Sequence, residues 1–518
     1  MNEKKIEHIS ASDFEFVPME GREHDRKLES KPVGYFRDAF NRFCRNKASV
    51  VAAIIIVILL LYAIIVPWLC ENNYTRALTD TMYLNYGKLP PKSSALEWLG
   101  VDGTSEITVN ESTFYKLQAI GEETGMNPIQ EVLAGPYKDP TAGSAKTLYY
   151  DIVVDSYYRM GMMYLTLTPE QYEDLQAWQD ANQIQVIFPT ITDAKQTDAN
   201  IWYKANKKGV PTMSKVDKDG DGLLEYTDIY KTTKPTDTSY HSLRIPADND
   251  PENPLAYARV TGTSSAKSYV VRVAKYTYFQ YRYGFEPEFI FGTNDRGQDI
   301  FTRLAAGARF SFILAICVSA INLTIGAIYG AIEGYYGGVI DLVMERVSDI
   351  LGGIPFMVVT TLFQLHLANK VGPVVALLFA FVLTGWIGMA SRVRMQFYRF
   401  KGQEYILAAR TLGARDSRLM FKHIFPNSLG TIITGSVLAI PGVIFSESTL
   451  SYLNIINLET SSLTSVGTML ANGQGFLNSY PHIILFPALF ISILEISFNL
   501  FGNGLRDAFN PSLRGADE

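Results

Sequence analysis

Six long apolar segments constrain the fold of this sequence more than any other feature. They run from Ala48 to Leu69, Phe310 to Gly334, Val339 to Leu367, Pro373 to Met395, Leu429 to Ser448 and Ile483 to Phe501. Each is close to, or longer than, the roughly 20 residues that a helix needs to cross about 30 Å of hydrocarbon. Backbone polar groups in a bilayer must be satisfied within the segment, so each is expected to be helical. The sequence therefore predicts an all-α polytopic membrane protein with six transmembrane helices.

Charge orients these segments relative to the membrane. The first segment follows a basic cluster that consists of Arg37, Arg42, Arg45 and Lys47. Basic residues favour the cytoplasmic side, so we expect the N-terminus to stay inside. Residues 449–480 carry no Lys or Arg, as an external loop should, and residues 1–33 lack the apolar run of a cleavable signal. Six crossings then give a multi-pass plasma-membrane protein with both termini in the cytoplasm and an uncleaved first segment as its signal anchor.

The spacing of the segments divides the chain into five parts. They are a cytoplasmic tail with an interfacial amphipathic helix (1–47), a first transmembrane helix (48–70), an extracellular insert (71–288), a core with five transmembrane helices (289–511) and a cytoplasmic C-terminal tail (512–518). Phe36, Phe40 and Phe43 recur at helical spacing among basic residues, which is typical of a helix on an anionic membrane surface. Packing of this helix on the core is an equally good interpretation, and both can hold.

The insert is polar and is predicted to be a folded α+β domain outside the membrane. It is long enough to bury a core of its own. Thr168 followed by Pro169 indicates a capped helix, and residues 185–188 and 269–273 are typical of short strands. A disordered spacer is the alternative, which the many aromatic residues disfavour. None of the three cysteines of the chain lies in the insert, so no disulfide framework is predicted there.

An acidic turn in the insert has the spacing of a calcium-binding loop. It is the sequence DKDGDGLLEYTD at residues 217–228. The candidate ligands are Asp217, Asp219, Asp221, the carbonyl group of Leu223, Glu225 and Asp228. Ca²⁺ prefers several hard oxygens on a tight loop, and Gly222 allows the sharp turn at position six. Position twelve is Asp rather than Glu, and in that respect the loop resembles those of dockerin modules. We predict a Ca²⁺ that stabilises the insert; the alternative is an acidic turn that binds nothing.

A polar, basic stretch separates the fourth apolar segment from the fifth. It runs from Glu404 to Asn427 and has the pattern of two short helices joined at Gly413. The second helix is expected to run from about Asp416 and to stop at Pro426. Four basic residues, Arg410, Arg415, Arg418 and Lys422, favour a cytoplasmic location. The stretch is therefore predicted to be an ordered cytoplasmic hairpin.

The hairpin resembles a known motif. Ala408-Ala409, then Gly413, then Ile424-Phe425-Pro426 is similar to the EAA loop of ABC-importer permeases. The sequences FGTNDRGQDIFTRLAAGARFS (291–311) and FNLFGNGLRDAFNP (498–511) are similar to the permeases of the oligopeptide, dipeptide and nickel importer family. The resemblance covers about 34–70 and 289–511. Leu407 stands where that family has the Glu of the motif, and Phe425 stands where it has Leu.

The resemblance implies a type I ABC importer permease fold and a transport function. It implies a permease subunit of an ATP-driven peptide importer, with a homologous second permease, two cytoplasmic ATP-binding subunits and an extracellular substrate-binding protein, such as a lipoprotein, as partners. By the same resemblance, the residues that couple to the ATPase are Glu404, Ala408, Ala409, Arg410, Gly413, Ala414, Arg418, Ile424 and Pro426. The alternatives are a permease for nickel chelates or glycans, or a membrane scaffold that presents a calcium-stabilised surface-binding domain.

No motif for catalysis is found in the sequence. G-x-x-x-x-G-K-[ST] is missing, and the nearest fragment, Gly87-Lys88, is followed by Leu89. G-x-S-x-G and H-E-x-x-H are missing as well. The chain is therefore not expected to be an enzyme or to bind a nucleotide itself, and ATP hydrolysis is expected from partner subunits. A net charge of −6, with no basic stripe of interleaved aromatic residues, argues against nucleic acid as a partner.

Two acidic residues and a row of glycines stand out within the apolar segments. Glu495 lies inside the sixth segment and Glu447 near the outer end of the fifth. A carboxylate in a membrane is costly, so Glu495 is expected to face a partner or water and is a candidate for the translocation path, with a satisfied hydrogen bond between helices as the alternative. For Glu447 it is the family resemblance, in which an acid is frequent at this position, that implies a role at the mouth of the path. Glycines 326, 330, 334 and 338 recur every four residues, which predicts a smooth stripe for close helix packing.

Overall fold

The structure is a computed structural model of the whole chain. It describes residues 35–70, 81–138, 147–191, 196–214, 225–229, 240–241, 255–263, 266–459 and 463–509. The chain has two parts: a helical part, residues 35–70 and 289–509, and the insert between them.

The helical part consists of apolar helices joined by short turns. Its helices are α1 (Tyr35–Arg45), α2 (Lys47–Leu69), α3 (Ile300–Tyr336), α4 (Gly338–Gly352), α5 (Phe356–His366), α6 (Ala368–Val371), α7 (Pro373–Gly385), α8 (Ile387–Lys401), α9 (Glu404–Thr411), α10 (Asp416–Arg418), α11 (Phe425–Val437), α12 (Ala439–Tyr452), α13 (Val466–Gly473) and α14 (His482–Phe509).

Among the described residues, five helical stretches are long and apolar enough to cross a membrane. They are Lys47–Leu69, Ile300–Tyr336, Pro373–Lys401, Asp416–Tyr452 and His482–Phe509. The third apolar segment of the sequence is divided, because α4 ends at Gly352 and α5 begins only at Phe356. Pro355 precedes α5, which fits the loss of a backbone donor at a proline. From the sequence, a proline inside the third apolar segment predicts a kink in one helix. The structure instead has a break between two shorter helices.

Helix α3 packs closely along α8 through the predicted glycine stripe. A Cβ atom at Gly330 would lie 2.1 Å from the carbonyl oxygen of Ala390, and one at Gly334 would lie 2.7 Å from that of Arg394. Gly326 makes a similar approach to Met389. Gly338 does not continue the stripe: it has a φ of +60° and begins α4, with nothing near it. Three glycines thus let the two backbones approach, as small residues do between membrane helices.

The N-terminal helix packs on the last helix. Ala39 and Phe43 of α1 are buried against Phe501 and Ala508 of α14, and the rings of Phe43 and Phe501 meet edge to face at 5.3 Å. Phe40 remains exposed. The structure therefore supports packing on the core as one role of this amphipathic helix.

The insert contains two antiparallel sheets and three α-helices among its described residues, besides short 3₁₀-helical turns. Its strands are β1 (Thr104–Asn110), β2 (Ile129–Lys138), β3 (Leu148–Asp155), β4 (Met162–Leu167), β5 (Ile187–Phe188), β6 (Tyr240–His241), β7 (Ala258–Thr263) and β8 (Ala266–Ala274), and its helices are Glu111–Thr124, Pro169–Asn182 and Lys275–Tyr283. One sheet has the order β1-β3-β2, and the other has the order β4-β8-β7-β6 with β5 paired to β8. A region with both helices and strands is therefore confirmed.

Local sequence explains the helix that was predicted in the insert. The side chain of Thr168 accepts from the backbone N–H of Gln171, and the side chain of Gln171 accepts from the backbone N–H of Thr168. Pro169 occupies the first turn, where its missing N–H costs nothing. The helix ends at Asn182, and Gln183 takes the left-handed conformation that follows many helices.

Hydrogen bonds join the insert to the helical part, in addition to the two covalent connections of the chain. Leu89 and Thr293 exchange hydrogen bonds, with the N–H of Leu89 donating to Oγ1 of Thr293 at 2.9 Å and the N–H of Thr293 donating to the carbonyl of Leu89 at 2.9 Å. The hydroxyl of Thr293 donates to the carbonyl of Tyr86. Gly297, with a φ of +77°, leaves room for the carbonyl of Tyr83. The segment before α3 thus holds the insert against the helices.

Candidate functional site

The polar hairpin follows α8 directly and is an ordered unit. Helix α9 begins at Glu404 and ends at Thr411, and Gly413 turns the chain with a φ of +82°. The short helix α10 follows, then a π-helical turn at Leu419–Ile424, then α11. A residue with a side chain is strained at such a φ, so the turn explains why glycine stands at position 413.

One side of the hairpin is fixed in the apolar core of the helical part. Ile406, Leu419 and Ile424 are fully buried, and they belong to a cluster with Phe397 of α8 and Tyr335 of α3. Burial of a large aliphatic side chain stabilises by about 1.5–3 kcal/mol. The hairpin is therefore held to the ends of two long helices.

The opposite side of the hairpin is exposed and partly apolar. Leu412 at the tip is 89% exposed, and Leu407 and Phe421 are 47% and 54% exposed. Most of the predicted coupling residues lie on this surface: Glu404, Ala408, Arg410, Gly413, Arg418 and Pro426 are exposed, Ala409 and Ala414 are half-buried, and Ile424 alone is fully buried. An ordered, exposed apolar tip is a feature of surfaces that bind another protein.

The second helix of the hairpin does not stop at Pro426, contrary to the prediction. The backbone N–H of Phe425 donates to the carbonyl of Met420, five residues earlier, and α11 then continues to Val437 with the proline in its first turn. A π-helical turn widens the backbone, so the proline ring is accommodated without a break. A sequence pattern with a period of 3.6 residues does not reveal such a turn.

A tyrosine from α3 connects the two limbs of the hairpin. The hydroxyl of Tyr335 donates to Oδ1 of Asp416 at 2.6 Å and accepts from Arg410 at 3.1 Å. On the same hairpin, burial raises the pKa of Tyr405, and a hydrogen bond with Asn427 opposes the shift. Sequence reasoning missed Tyr335 because nothing distinguishes it from other tyrosines at the end of an apolar segment.

A second polar contact between helices lies near the same end of α3 and α8. The guanidinium of Arg394 donates to Asp341 at 2.6 Å and to Glu345 at 3.0 Å, and it lies 3.4 Å from Glu333. On α4, Arg346 and Asp349 form an ion pair at 2.9 Å. The charges at this end of the helices are thus largely paired.

The two intramembrane acids have different surroundings. Glu447 is fully buried and accepts hydrogen bonds from Ser311 and Ser451, each at 3.0 Å. Glu495 is half-buried, and its Oε1 has no hydrogen-bond partner among the described residues. These contacts do not test whether Glu447 or Glu495 takes part in translocation, so that role stays a prediction.

Most of the predicted calcium loop lies outside the described residues. This applies to Asp217, Asp219, Asp221 and Leu223, whereas Glu225 and Asp228 are described. The chain on either side of the loop is paired: the N–H of Ser214 donates to the carbonyl of Glu225, and Met213 pairs with Tyr226. The described residues contain no cluster of three or more His, Cys, Asp or Glu side chains arranged to hold a metal.

These observations define an integral membrane protein of apolar helices with an ordered polar hairpin at one end. Two family models match the chain: "Binding-protein-dependent transport system inner membrane component" matches residues 322–515, and "N-terminal TM domain of oligopeptide transport permease C" matches residues 34–91.

Curated relatives agree with these models. The oligopeptide transport system permease protein OppC of Bacillus subtilis is 43% identical over 224 residues, which are 43% of this chain and 72% of the relative. The dipeptide permease DppC of the same organism is 39% identical over 43% of this chain and 69% of the relative. OppC of Escherichia coli K12 is 36% identical over 43% of this chain and 72% of the relative. The chain belongs to the family of binding-protein-dependent transport permeases.

A solved structure is also similar. The MetNI methionine ABC transporter in its inward-facing form has a chain that aligns with 40% of this chain and 96% of its own length, with a TM-score of 0.33 and 14% identity.

Proposed function

We propose that this chain is a permease subunit of an ATP-driven importer of oligopeptides or dipeptides. The observation that carries the proposal is the hairpin at residues 404–427, with a buried side fixed to α3 and α8 and an exposed side that ends in Leu412. Family membership and the names of the relatives, which are oligopeptide and dipeptide permeases, favour peptides over nickel chelates or glycans.

The proposed mechanism uses the hairpin as the link to two cytoplasmic ATP-binding subunits. Its exposed side docks on an ATPase, and closure of the ATPases on ATP moves it. Because Ile406 and Leu419 are buried against Phe397, the movement reaches α8 and the helices packed on it. A homologous second permease forms the other wall of the pathway, and an extracellular binding protein delivers the peptide. ATP hydrolysis belongs to the partners.

The proposed topology has six crossings. Helices α4 and α5 together form the third crossing with a break at Pro355, which adds one span to the five long helical stretches. Both termini and the hairpin then lie in the cytoplasm, and the insert, residues 71–288, lies outside. The break is tolerated where neighbouring helices or water satisfy the freed backbone groups.

Substitution of the exposed tip tests the proposal. The importer is reconstituted with its ATPases and binding protein, and Leu412→Asp and Gly413→Asp are compared with the wild type. Leu412 makes no contribution to the core of this chain, so Leu412→Asp should leave insertion and assembly of the permease pair intact. We expect loss of most peptide uptake and of the ATPase activity that loaded binding protein stimulates.

Leu477→Asp is the matched control, because Leu477 is also exposed but lies in the loop before α14. It should retain uptake. Unchanged uptake and ATPase activity in both tip variants, with the complex assembled, would show that the hairpin does not couple the ATPase to transport. The scaffold alternative would then be favoured.

A further inference from the structure

A cavity of about 340 Å³, lined mainly by apolar atoms with a few polar side chains, lies within the helical part, away from the hairpin. Its walls come from α3, α5, α7, α8, α11 and α12, so it lies between the long apolar helices. Gly385, Gly388 and Gly442 line it and are exposed, so it opens at a surface of this chain. Its volume falls in the range of about 300–1,000 Å³ that is usual for small-ligand sites.

One charged side chain, Arg392, is present among the residues that line the cavity. Its guanidinium donates to the carbonyl oxygen of Gly435 at 3.2 Å. Among the described residues no carboxylate lies within ion-pair distance of it, whereas Arg394, two residues further along α8, has three acidic neighbours. Arg392 is exposed on α8, and a cation in a membrane-spanning stretch is costly unless it faces a partner or water. Arg392 therefore presents an unneutralised positive charge to the cavity.

Two further polar groups of the cavity lack partners among the described residues. They are Oδ1 of Asn322 and the hydroxyl of Ser319, both on α3 and both buried. A buried acceptor without a hydrogen bond costs about 1–3 kcal/mol, so such groups mark places where a ligand or water is bound. Together the cavity offers a cation, a free amide acceptor and a free hydroxyl.

We propose that this cavity is the peptide-contact site of this subunit and that Arg392 binds the C-terminal carboxylate of the peptide. Asn322 Oδ1 accepts from an N–H group of the same peptide. The guanidinium suits a carboxylate because it offers parallel N–H donors. The inference rests on the proposed peptide-import function and adds the residues that contact the substrate during passage.

Several glycines line the cavity, and their replacement by larger residues provides a second test of the proposal. A Cβ atom at Gly388 or at Gly442 would have no atom within 4 Å, and neither residue has a positive φ. Larger side chains at these positions would therefore extend into the cavity without a clash of their own Cβ atoms. At Gly435, in contrast, a Cβ would lie 2.8 Å from Nη1 of Arg392, so a larger residue there would shift the guanidinium.

The first experiment compares peptides that differ only at the C-terminus. Proteoliposomes with the assembled importer take up a peptide with a free carboxylate or its C-terminal amide, and each rate is divided by the measured fraction of loaded binding protein. For Arg392→Gln, we expect the rate for the free acid to fall about 10- to 100-fold, as loss of a hydrogen bond to a charged group implies. The amide rate should stay unchanged, and Arg392→Lys should keep part of the preference for the acid.

The second experiment fills the cavity. Gly388→Leu and Gly442→Leu should lower uptake of a tripeptide more than uptake of a dipeptide, while Gly475→Leu, at another open glycine outside the cavity, should change neither. Equal loss of acid and amide uptake in Arg392→Gln would give Arg392 a structural or lipid-contacting role and overturn the proposal, as would full uptake in both cavity-filling variants. Failure of the wild-type complex to import any peptide would instead refute the proposed function itself.

Discussion

At the scale of single residues, Gly330 sets how closely the two central helices approach. Its Cα faces the backbone of Ala390, and the missing side chain provides the space for that contact. The period of four among Gly326, Gly330 and Gly334 was visible in the sequence, because small residues repeated at this spacing in an apolar helix are typical of close helix packing. Which helix packs on the stripe was not visible, since any of the apolar segments could do so.

We predict that Gly330→Ala destabilises the permease. The added methyl group would lie 2.1 Å from a backbone oxygen, so α3 and α8 must separate. Overpacking of this kind costs about 1–3 kcal/mol. The measurement is the temperature at which the purified complex loses its monodisperse elution profile. Gly388→Ala, in the same helix pair but with open space around it, is the control; equal thermal stability of the two variants would contradict the close-packing account.

In the insert, a single residue that decides the packing is Arg272. Its side chain is fully buried and forms two hydrogen bonds of 2.7 Å with the carboxylate of Glu123, one from each terminal nitrogen. It also donates to the carbonyls of Ala199 and Pro189. One side chain therefore connects four segments that are distant in sequence. This role could not be predicted, because an arginine in an alternating strand ordinarily faces solvent.

Replacement of this arginine should loosen the insert selectively. Arg272→Met leaves the Glu123 carboxylate buried without its partner, and such a change costs about 3–5 kcal/mol. We expect limited proteolysis of the full-length protein to cleave the insert faster, with the helical part unchanged. Lys116→Met is the control, because its ion pair with Asp198 is partly exposed and should matter little. Equal protection in wild type and Arg272→Met would refute this role.

At the scale of elements, local signals predicted helices well and their interruptions less well. Thr168 and Pro169 identified a helix start through capping chemistry, which acts within one turn of the chain. The sequence predicts a kink at Pro355 and the end of a helix at Pro426, but the structure shows a different outcome at each. The first separates two helices, and the second is absorbed by a π-helical turn that buries Ile424. The outcome depends on what packs around the proline, which one sequence does not reveal.

The predicted calcium loop lies between two chain segments that pair with each other. Backbone contacts between residues 212–214 and 225–227 bring the two ends of the intervening loop together. If the loop binds Ca²⁺ with an affinity of about 10⁻⁴–10⁻³ M, about 10 mM Ca²⁺ stabilises the insert by about 1.4–2.7 kcal/mol. We expect slower proteolysis of the insert with Ca²⁺ than with EGTA. Asp219→Asn should abolish the difference, while Asp180→Asn, on the helix Pro169–Asn182 of the insert, should retain it. Equal proteolysis with and without Ca²⁺ in the wild type would support the simple acidic turn.

At the scale of the whole molecule, noncovalent contacts attach the insert to the helical part. Contacts between Tyr86, Leu89 and Thr293 attach the insert where α3 begins. Beyond them, Lys88 lies over the ring of Phe476 in the loop before α14, at 4.6 Å from its centroid. A long insert after the first span was evident from composition alone. Its attachment could not be predicted, because it depends on pairing between segments about 200 residues apart in the chain.

The orientation of the molecule in the membrane can be tested by labelling. In a functional variant without its native cysteines, a single cysteine is introduced at exposed Glu97 in the insert or at exposed Ser417 in the hairpin. In the proposed topology, positive charge before α2 keeps the N-terminus inside, so one crossing places the insert outside and the crossings that follow return the hairpin to the inside. A membrane-impermeant maleimide should therefore label Glu97→Cys in intact cells and Ser417→Cys only after permeabilisation. Labelling of both in intact cells would mean that α4 and α5 do not together cross the membrane. In that case the break at Pro355 would be a re-entrant turn, and the hairpin could not reach a cytoplasmic ATPase.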